Sequence, residues 1–200
     1  MGKPFIALLL CVPCGAQSQQ LFVEYQGTVS SIDRGSLAET PPYSIGDAIR
    51  GTLIIDTALA PPDELGGDAR IGRYYGGSPG IDFILGPSHT TGRARSSGDL
   101  LLVRNDWQAS AGAAREDGLI IRDRSIDTDG NYDLLLGLQR PNLLGQLFAN
   151  DSLAQSFDVE SEPGTSLWGY IEQGFGEFWQ AVHFTLDRFS VTPGVCRAPT

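Results

Sequence analysis

The sequence predicts an all-β protein, an antiparallel β-sandwich of jelly-roll-like type with about eight to ten strands and at most one short helix. Short segments with two-residue hydrophobic alternation recur along the chain, whereas helical periodicity is scarce. The 25 glycines and 12 prolines among 200 residues allow many turns between short elements. A chain of this length suits a single domain.

The alternation is clearest in two segments near the start of the chain. In residues 22–31, Val23, Tyr25 and Val29 share one side, and residues 48–56 repeat the pattern. A strand with one buried face alternates in this way. Short apolar runs bounded by turn residues predict further strands at 81–85, 100–103, 119–121, 134–138, 167–171 and 178–191.

The segments between these runs differ in character. Residues 57–79 are rich in turn residues, and residues 87–92 form a polar segment predicted to be a loop. Residues 142–150 have leucines and a phenylalanine at helical spacing, interrupted by Gly145. This segment is the predicted position of the one short helix.

The first sixteen residues have the order of a secretory signal peptide. Lys3 precedes an apolar run at 5–12, then Pro13, and small residues stand before a cut after Ala16. The run is shorter than the roughly 20 residues of a membrane-spanning helix. We therefore expect a signal peptide at 1–16, cleavage near Ala16, and a secreted protein, periplasmic or extracellular. The mature chain is expected to have no integral membrane segment.

Two alternatives for the N-terminus are a buried strand and a lipoprotein anchor. The anchor requires a small residue before the modified cysteine, and neither Cys11 nor Cys14 has one. Residues 17–192 are then predicted to form one β-sandwich domain, followed by a disordered tail at 193–200. Cys196 is the one cysteine left after cleavage, so it forms no internal disulfide, and a bond to another chain stays open.

The charge balance excludes one class of partner. The chain carries 14 Lys and Arg against 24 Asp and Glu, a formal net charge of −10. Nucleic-acid binding depends on clustered basic side chains that contact phosphates. We expect no nucleic-acid partner, and we expect an acidic surface that repels polyanions.

Several motifs resemble those of small secreted bacterial β proteins of uncharacterised function, many of which carry a PEP-CTERM sorting tail. They are Tyr25-x-Gly27-x-Val29, the segment 43–47 (YSIGD), Gly51-x-Leu53-x-Ile55-Asp56, the segment 98–102 (GDLLL) and Phe184-x-Leu186. The resemblance spans most of residues 22–192, implies a β-sandwich and supplies no catalytic residues to carry over to this chain. The chain departs from these proteins at 191–200, which have no Pro-Glu-Pro box, membrane helix or arginine cluster.

One acidic segment has the composition of a calcium loop. Oxygen-bearing side chains stand at every second position of residues 127–133, and Ca²⁺ prefers six to eight oxygen ligands. The spacing excludes an EF-hand: with Asp127 as loop position 1, Gly130 is at position 4 instead of 6, and Leu138 stands at position 12, where an EF-hand has Glu. The alternative is a hairpin turn at Asp129-Gly130 without metal. The candidate Ca²⁺ ligands are Asp123, Asp127, Asp129, Asn131 and Asp133.

Aromatic residues crowd the C-terminal part of the chain. Six of them lie between positions 168 and 184. Phe178 and Phe184 share the phase of Val182, which predicts core positions, whereas Trp179 faces the other side. Trp179 and Trp168 are the candidate ligand-binding residues, because an exposed indole stacks on a sugar ring. The alternative is that these rings pack in the core.

Glu172 and Glu177 are the candidate catalytic pair. Glycosidases use two carboxyl groups about 5–9.5 Å apart, and a Gly-rich turn between these glutamates allows that distance. The sequence has two histidines, no HExxH or Cys/His metal motif and no phosphate-binding loop. No cofactor is therefore predicted, apart from the Ca²⁺ alternative.

These observations together favour an exported, non-catalytic extracellular or envelope module that binds a glycan or matrix component through its loops. The alternatives are a secreted glycan-acting hydrolase that uses Glu172 and Glu177, and a structural module stabilised by Ca²⁺ at the acidic segment.

Overall fold

A computed structural model describes residues 20–56, 63, 68, 70–75, 80–94, 100–108, 110–127, 130–150, 156–174 and 176–193. The predicted signal peptide, Cys196 and nearly all of the predicted tail lie outside these residues. So does Asp129 of the predicted calcium segment, and the side chains of Asp127 and Asn131 are not described.

Strands form most of the described chain. They are β1 (Gln20–Arg34), β2 (Ala48–Asp56), β3 (Ile71–Tyr75), β4 (Gly80–Leu85), β5 (Ser88–Ala94), β6 (Leu100–Trp107), β7 (Glu116–Asp127), β8 (Gly130–Pro141), β9 (Phe157–Glu160), β10 (Ser166–Gln173) and β11 (Gln180–Pro193). Two single turns of 3-10 helix, Asn142–Leu144 and Gly176–Phe178, are the helical elements of the described residues.

All of these strands are hydrogen-bonded into one sheet. Its order is β3-β6-β7-β5-β4-β2-β1-β11-β10-β8, with β9 paired to β11 and an additional pairing of β7 with β8. Every pairing is antiparallel. The prediction of an all-β, antiparallel fold is confirmed, with one strand more than the predicted upper limit. Division of the sheet into the two layers of a sandwich stays a prediction.

Strand β1 organises the centre of the sheet. It pairs with β2 on one side and with β11 on the other. Its side chains alternate strictly, so Val23 and Tyr25 are buried while Glu24 and Gln26 face outward and are exposed. The β1–β11 register shifts at Gln26/Gly27 and at Val29/Ser31. Such bulges bend a strand and are frequent beside binding sites.

The inward side chains of the strands form one hydrophobic cluster. The ring centroids of Phe83 in β4 and Tyr132 in β8 are 6.1 Å apart in an edge-to-face contact. Since β4 and β8 are not neighbours in the sheet, the sheet curves around this cluster. Its largest fully buried members are Phe184, Phe189, Leu21, Ile49, Leu53, Ile55, Leu85, Ile121, Leu134, Leu136, Leu186 and Val23.

Three strands, β3, β5 and β9, were not predicted from the sequence. Strand β5 is the segment expected to be a loop, and β3 lies in the region expected to consist of turns. The two-residue connection at positions 86 and 87 brings Ser88 opposite Leu85, so β5 pairs along β4 despite its polar sequence. Gly86 has a φ of 53°, a conformation that favours glycine. Backbone pairing therefore decides the structure here, in the absence of a hydrophobic pattern.

The helix expected over residues 142–150 is limited to one 3-10 turn. Gly145, with a φ of 101°, ends this turn. The backbone N–H groups of Leu147 and Phe148 donate to the carboxylate of Asp117, at 2.5 and 3.1 Å, instead of continuing a helix. Leu143 is 92% exposed, so the expected apolar helix face is absent as well.

Candidate functional site

An aromatic strip lies on the outward face of β10 and β11. It consists of Trp168, Tyr170 and His183, whose side chains are half-buried. The alternation of β10 directs Leu167 and Ile171 into the core and turns Trp168 and Tyr170 to the opposite face. The antiparallel register places Tyr170 directly opposite His183. The three rings are therefore neighbours on one surface.

Trp168 lies across a glycine of the neighbouring strand. It pairs with Gly137 of β8, and an ideal Cβ on Gly137 would be 2.2 Å from Cε2 of the indole and 2.4 Å from its Cζ2. Only a residue without a side chain leaves room for the ring in this position. The indole thus rests on the sheet, and the part that Gly137 does not cover is available at the surface.

Tyr170 and His183 form the second part of the strip. Their ring centroids are 5.7 Å apart, with an angle of 44° between the ring planes. Nε2 of His183 is 3.2 Å from Oδ2 of Asp33 at the end of β1. The carboxylate fixes the position of the imidazole, and the side chains of His183 and Asp33 are 43% and 60% exposed.

Charged side chains border the strip on the side of β7 and β8. Nε of Arg122 donates to Oδ1 of Asp133 at 2.8 Å, and its Nη2 donates to Oδ2 of the same carboxylate. This hydrogen bond is the main cause that raises the pKa of Arg122, and the nearby Tyr170 and Glu172 contribute in the same direction. Glu172 is exposed and stands opposite Asp133 in the β8–β10 register.

The combination suits a ligand with both apolar faces and hydroxyl groups. Aromatic rings offer flat apolar surfaces, and sugar rings present matching C–H faces. Carboxylates accept hydrogen bonds and guanidinium groups donate them, so Glu172 and Arg122 can satisfy hydroxyls at the edge of such a ligand. The strip lies on an outward-facing strand surface, which is open to an extended ligand.

The two predicted ligand-binding tryptophans occupy different places. Trp168 belongs to the strip, whereas Trp179 is half-buried just before β11. The carbonyl oxygen of Trp179 accepts the N–H of Gly35 at 2.7 Å. The prediction that Phe178 is a core residue is wrong, because Phe178 is 63% exposed. The chain forms a 3-10 turn at Gly176–Phe178, so the two-residue phase of β11 begins only after it.

The predicted catalytic pair is divided between two elements. Glu172 lies on the outward face of β10, and Glu177 lies in the 3-10 turn that precedes β11. Both side chains are exposed. The backbone carbonyl of Glu177 accepts the N–H of Leu37 at 3.0 Å, which attaches the turn to the segment after β1. Their use as a catalytic pair stays a prediction.

Two of the predicted calcium ligands, Asp123 and Asp133, lie on opposite faces of the sheet. Asp123 is fully buried on the inward face of β7, whereas Asp133 faces outward and binds Arg122. These two carboxylates are therefore not brought together. The β7–β8 ladder extends to the pair Asp127–Gly130, so Gly130 is the first residue of β8 and not a central residue of the turn predicted at Asp129-Gly130. Within the described part of the chain, no group of three or more His, Cys, Asp or Glu side chains is arranged to hold a metal ion.

Sequence reasoning missed Tyr170, His183 and Arg122 as site residues. Tyr170 carried a usable signal, since Trp168, Tyr170 and Glu172 occupy alternate positions of one predicted strand and must share a face. His183 and Arg122 carried none, because their positions depend on the register of β11 and β7.

Comparison of the chain with family models, curated proteins and solved structures finds no match. The site is therefore interpreted from its own geometry. A separate search of the described residues finds no helix with the length and hydropathy needed to cross a membrane.

Proposed function

We propose that this protein is an exported, non-catalytic module that binds neutral glycans through the aromatic strip. The observation that carries the proposal is the position of Trp168 across Gly137, beside Tyr170 and His183. Export rests on the signal-peptide pattern of residues 1–16.

Burial and orientation distinguish these rings from core aromatics. Tyr25 and Phe184 are buried and stacked on each other inside the sheet, at a centroid distance of 6.4 Å. Trp168 and Tyr170 stand at the alternate positions of β10 and keep part of their surface exposed. Large aromatic residues on an outward strand face contribute to binding more often than smaller side chains do.

The charges favour an uncharged ligand. The net charge of −10 repels polyanions at long range. At the strip, Arg122 is neutralised by Asp133, and Glu172 adds a negative charge. A neutral polysaccharide experiences none of this repulsion, and its hydroxyls can donate to Glu172.

Trp168→Ala tests this proposal. Binding of the cello-, xylo- and manno-hexasaccharides is measured by isothermal titration calorimetry at physiological salt. We expect at least one to bind the wild type, and the variant to bind it about tenfold or more weakly, the effect of removing a binding hot spot. Thermal unfolding verifies that the variant folds.

Trp107→Ala is the matched control. Trp107 lies at the end of β6 under the guanidinium of Arg104, at 4.3 Å from Cζ to the ring centroid, away from the strip. Its replacement should leave the affinity unchanged. An equal loss in both variants, or no binding of any hexasaccharide to the wild type, would refute the proposal.

A further inference from the structure

A concave surface lies on the outward face of β11, β1, β2 and β4. It encloses a volume of about 410 Å³ and is open to solvent. Most of the residues that line it have polar side chains, and their aliphatic parts together with Ile84 add apolar surface. The outward lining side chains are Glu24, Gln26, Arg50, Thr52, Ile84, Arg188 and Ser190.

The register explains how these side chains meet. Gln26 of β1 pairs with Arg50 of β2 and with Arg188 of β11, which forms one row across three strands. Glu24 forms the next row with Thr52 and Ser190. Hydrogen-bond donors and acceptors are therefore adjacent within the cavity.

The positive charge of Arg188 is offset by the carboxylates of Asp158, Glu160 and Glu24. Nε of Arg188 donates to Oδ1 of Asp158 at 2.8 Å, and its Nη2 contacts Oδ2 of the same residue. The hydrogen bonds from Arg188 lower the pKa of Asp158, so its carboxylate stays ionised to a lower pH than usual. Arg50 and Glu24 supply one further charge of each sign. A ligand with several hydroxyls matches such a lining better than a charged group does.

The concave surface continues into the aromatic strip. Thr185 of β11 pairs with Trp168 on one side and with Thr28 of β1 on the other, and both threonines are exposed. Arg188 follows Thr185 by three residues, about 10 Å along a strand. The bulge at Gln26/Gly27 lies between the Thr28–Thr185 pair and the Gln26–Arg188 pair, where the aromatic strip meets the concave surface.

We infer that the concave surface is a second subsite for the same neutral glycan, so that one oligosaccharide stacks on Trp168 and places further sugar units beside Arg50 and Glu24. This inference rests on the proposed function of the strip. Phe22 is 38% exposed and faces outward two residues before Glu24, so it adds an apolar contact at the edge of the concave surface.

Chain length and two variants separate the subsites. The disaccharide and the hexasaccharide of the neutral series bound best by the wild type are titrated against Arg50→Ala and Trp168→Ala. For the hexasaccharide, we expect both variants to bind about tenfold more weakly. For the disaccharide, we expect loss in Trp168→Ala and unchanged affinity in Arg50→Ala, because the strip alone holds a short ligand.

Arg70→Ala is the matched arginine control. Arg70 is exposed and pairs with Asp68, outside this surface, so its replacement should not alter either affinity. Unchanged hexasaccharide affinity in Arg50→Ala, with a loss in Trp168→Ala, would overturn the second subsite and leave the strip intact. Absence of binding to the wild type would overturn both.

Discussion

Asp117 and Glu172 are both strand carboxylates, and their surroundings assign them opposite roles. Asp117 in β7 is completely buried, and its oxygens accept the backbone N–H groups of Asp106, Leu147 and Phe148. Glu172 in β10 is exposed beside the aromatic strip.

The two carboxylates differ in how many hydrogen-bond acceptor positions remain available to a ligand. The oxygens of a buried carboxylate that accept backbone N–H groups hold the chain in place. Asp117 does this for the segment after β8. A carboxylate on the outward face retains acceptor positions for a ligand. Residue type does not separate these roles, whereas burial and hydrogen-bond partners do.

Asp117→Ala should have the largest effect on stability. It leaves three backbone N–H groups without their acceptor, at a total cost of about 3 kcal/mol or more. For a domain of this size, we expect the Tm to fall on the order of 10 °C. Differential scanning calorimetry measures it, with Asp158→Ala as the control.

Asp158 is half-exposed in its ion pair with Arg188, and pairs of this kind contribute about 0–1 kcal/mol. Its replacement should therefore change the Tm little. Equal shifts in the two variants would contradict the structural role of Asp117.

Gly137→Val should act mainly on binding. The new side chain would occupy the space of the Trp168 indole and displace it from the sheet. We expect a loss of glycan affinity similar to that of Trp168→Ala, about tenfold. Calorimetric titration with the same hexasaccharide measures it.

Gly118→Ala is a control on the neighbouring strand. The Cβ at Gly118 would contact the carbonyl oxygen of Leu138 at 3.2 Å and would not reach the indole. Wild-type affinity in Gly137→Val would show that the resting position of the indole is irrelevant to binding.

Tyr43→Phe should have the smallest effect at neutral pH, and the part of its effect that depends on pH lies in the alkaline range. Burial, and then the proximity of Tyr132, raise the pKa of Tyr43 to about 12. In the unfolded chain a tyrosine has a pKa near 10, so between pH of about 10 and 12 the folded state retains a proton that the unfolded state loses. The free energy of unfolding is therefore unaffected by this group below pH of about 10 and falls as the pH rises above it.

The variant lacks this phenol, so its Tm should decrease less than that of the wild type between pH 10 and 12. Thermal melts at matched pH values compare the two proteins. Phe replacement also removes the acceptor for Nε2 of Gln180, at 2.8 Å, which affects the Tm at all pH values. Parallel Tm curves across the alkaline range would contradict the raised pKa.

The strands with hydrophobic alternation were predictable, because a strand that buries one face shows alternating apolar and polar residues within its own sequence. β1 is confirmed within two or three residues at each end, and β2 has the predicted bounds. Strand β5 was not predictable, since its polar residues are ordered by pairing with β4. The Asp117 contacts were not predictable either, because they join residues about 30 positions apart.

The residues of the candidate site also divide into those that the sequence identified and those that it did not. Trp168 and Glu172 were identified from local composition and share one strand face. His183 and Arg122 reach the strip only through the pairing of β10 with β11 and of β7 with β8. A register set by long-range pairing leaves no local signal at either residue.

The indole N–H signals of the protein's three tryptophans test the central claim most directly. They are recorded by ¹H–¹⁵N NMR during titration with the best-bound hexasaccharide and assigned with single Trp→Phe variants. We predict that the Trp168 signal shifts in proportion to bound ligand, while the signal of Trp107 stays in place. A saturable shift at Trp107 with an unmoved Trp168 signal would contradict the account.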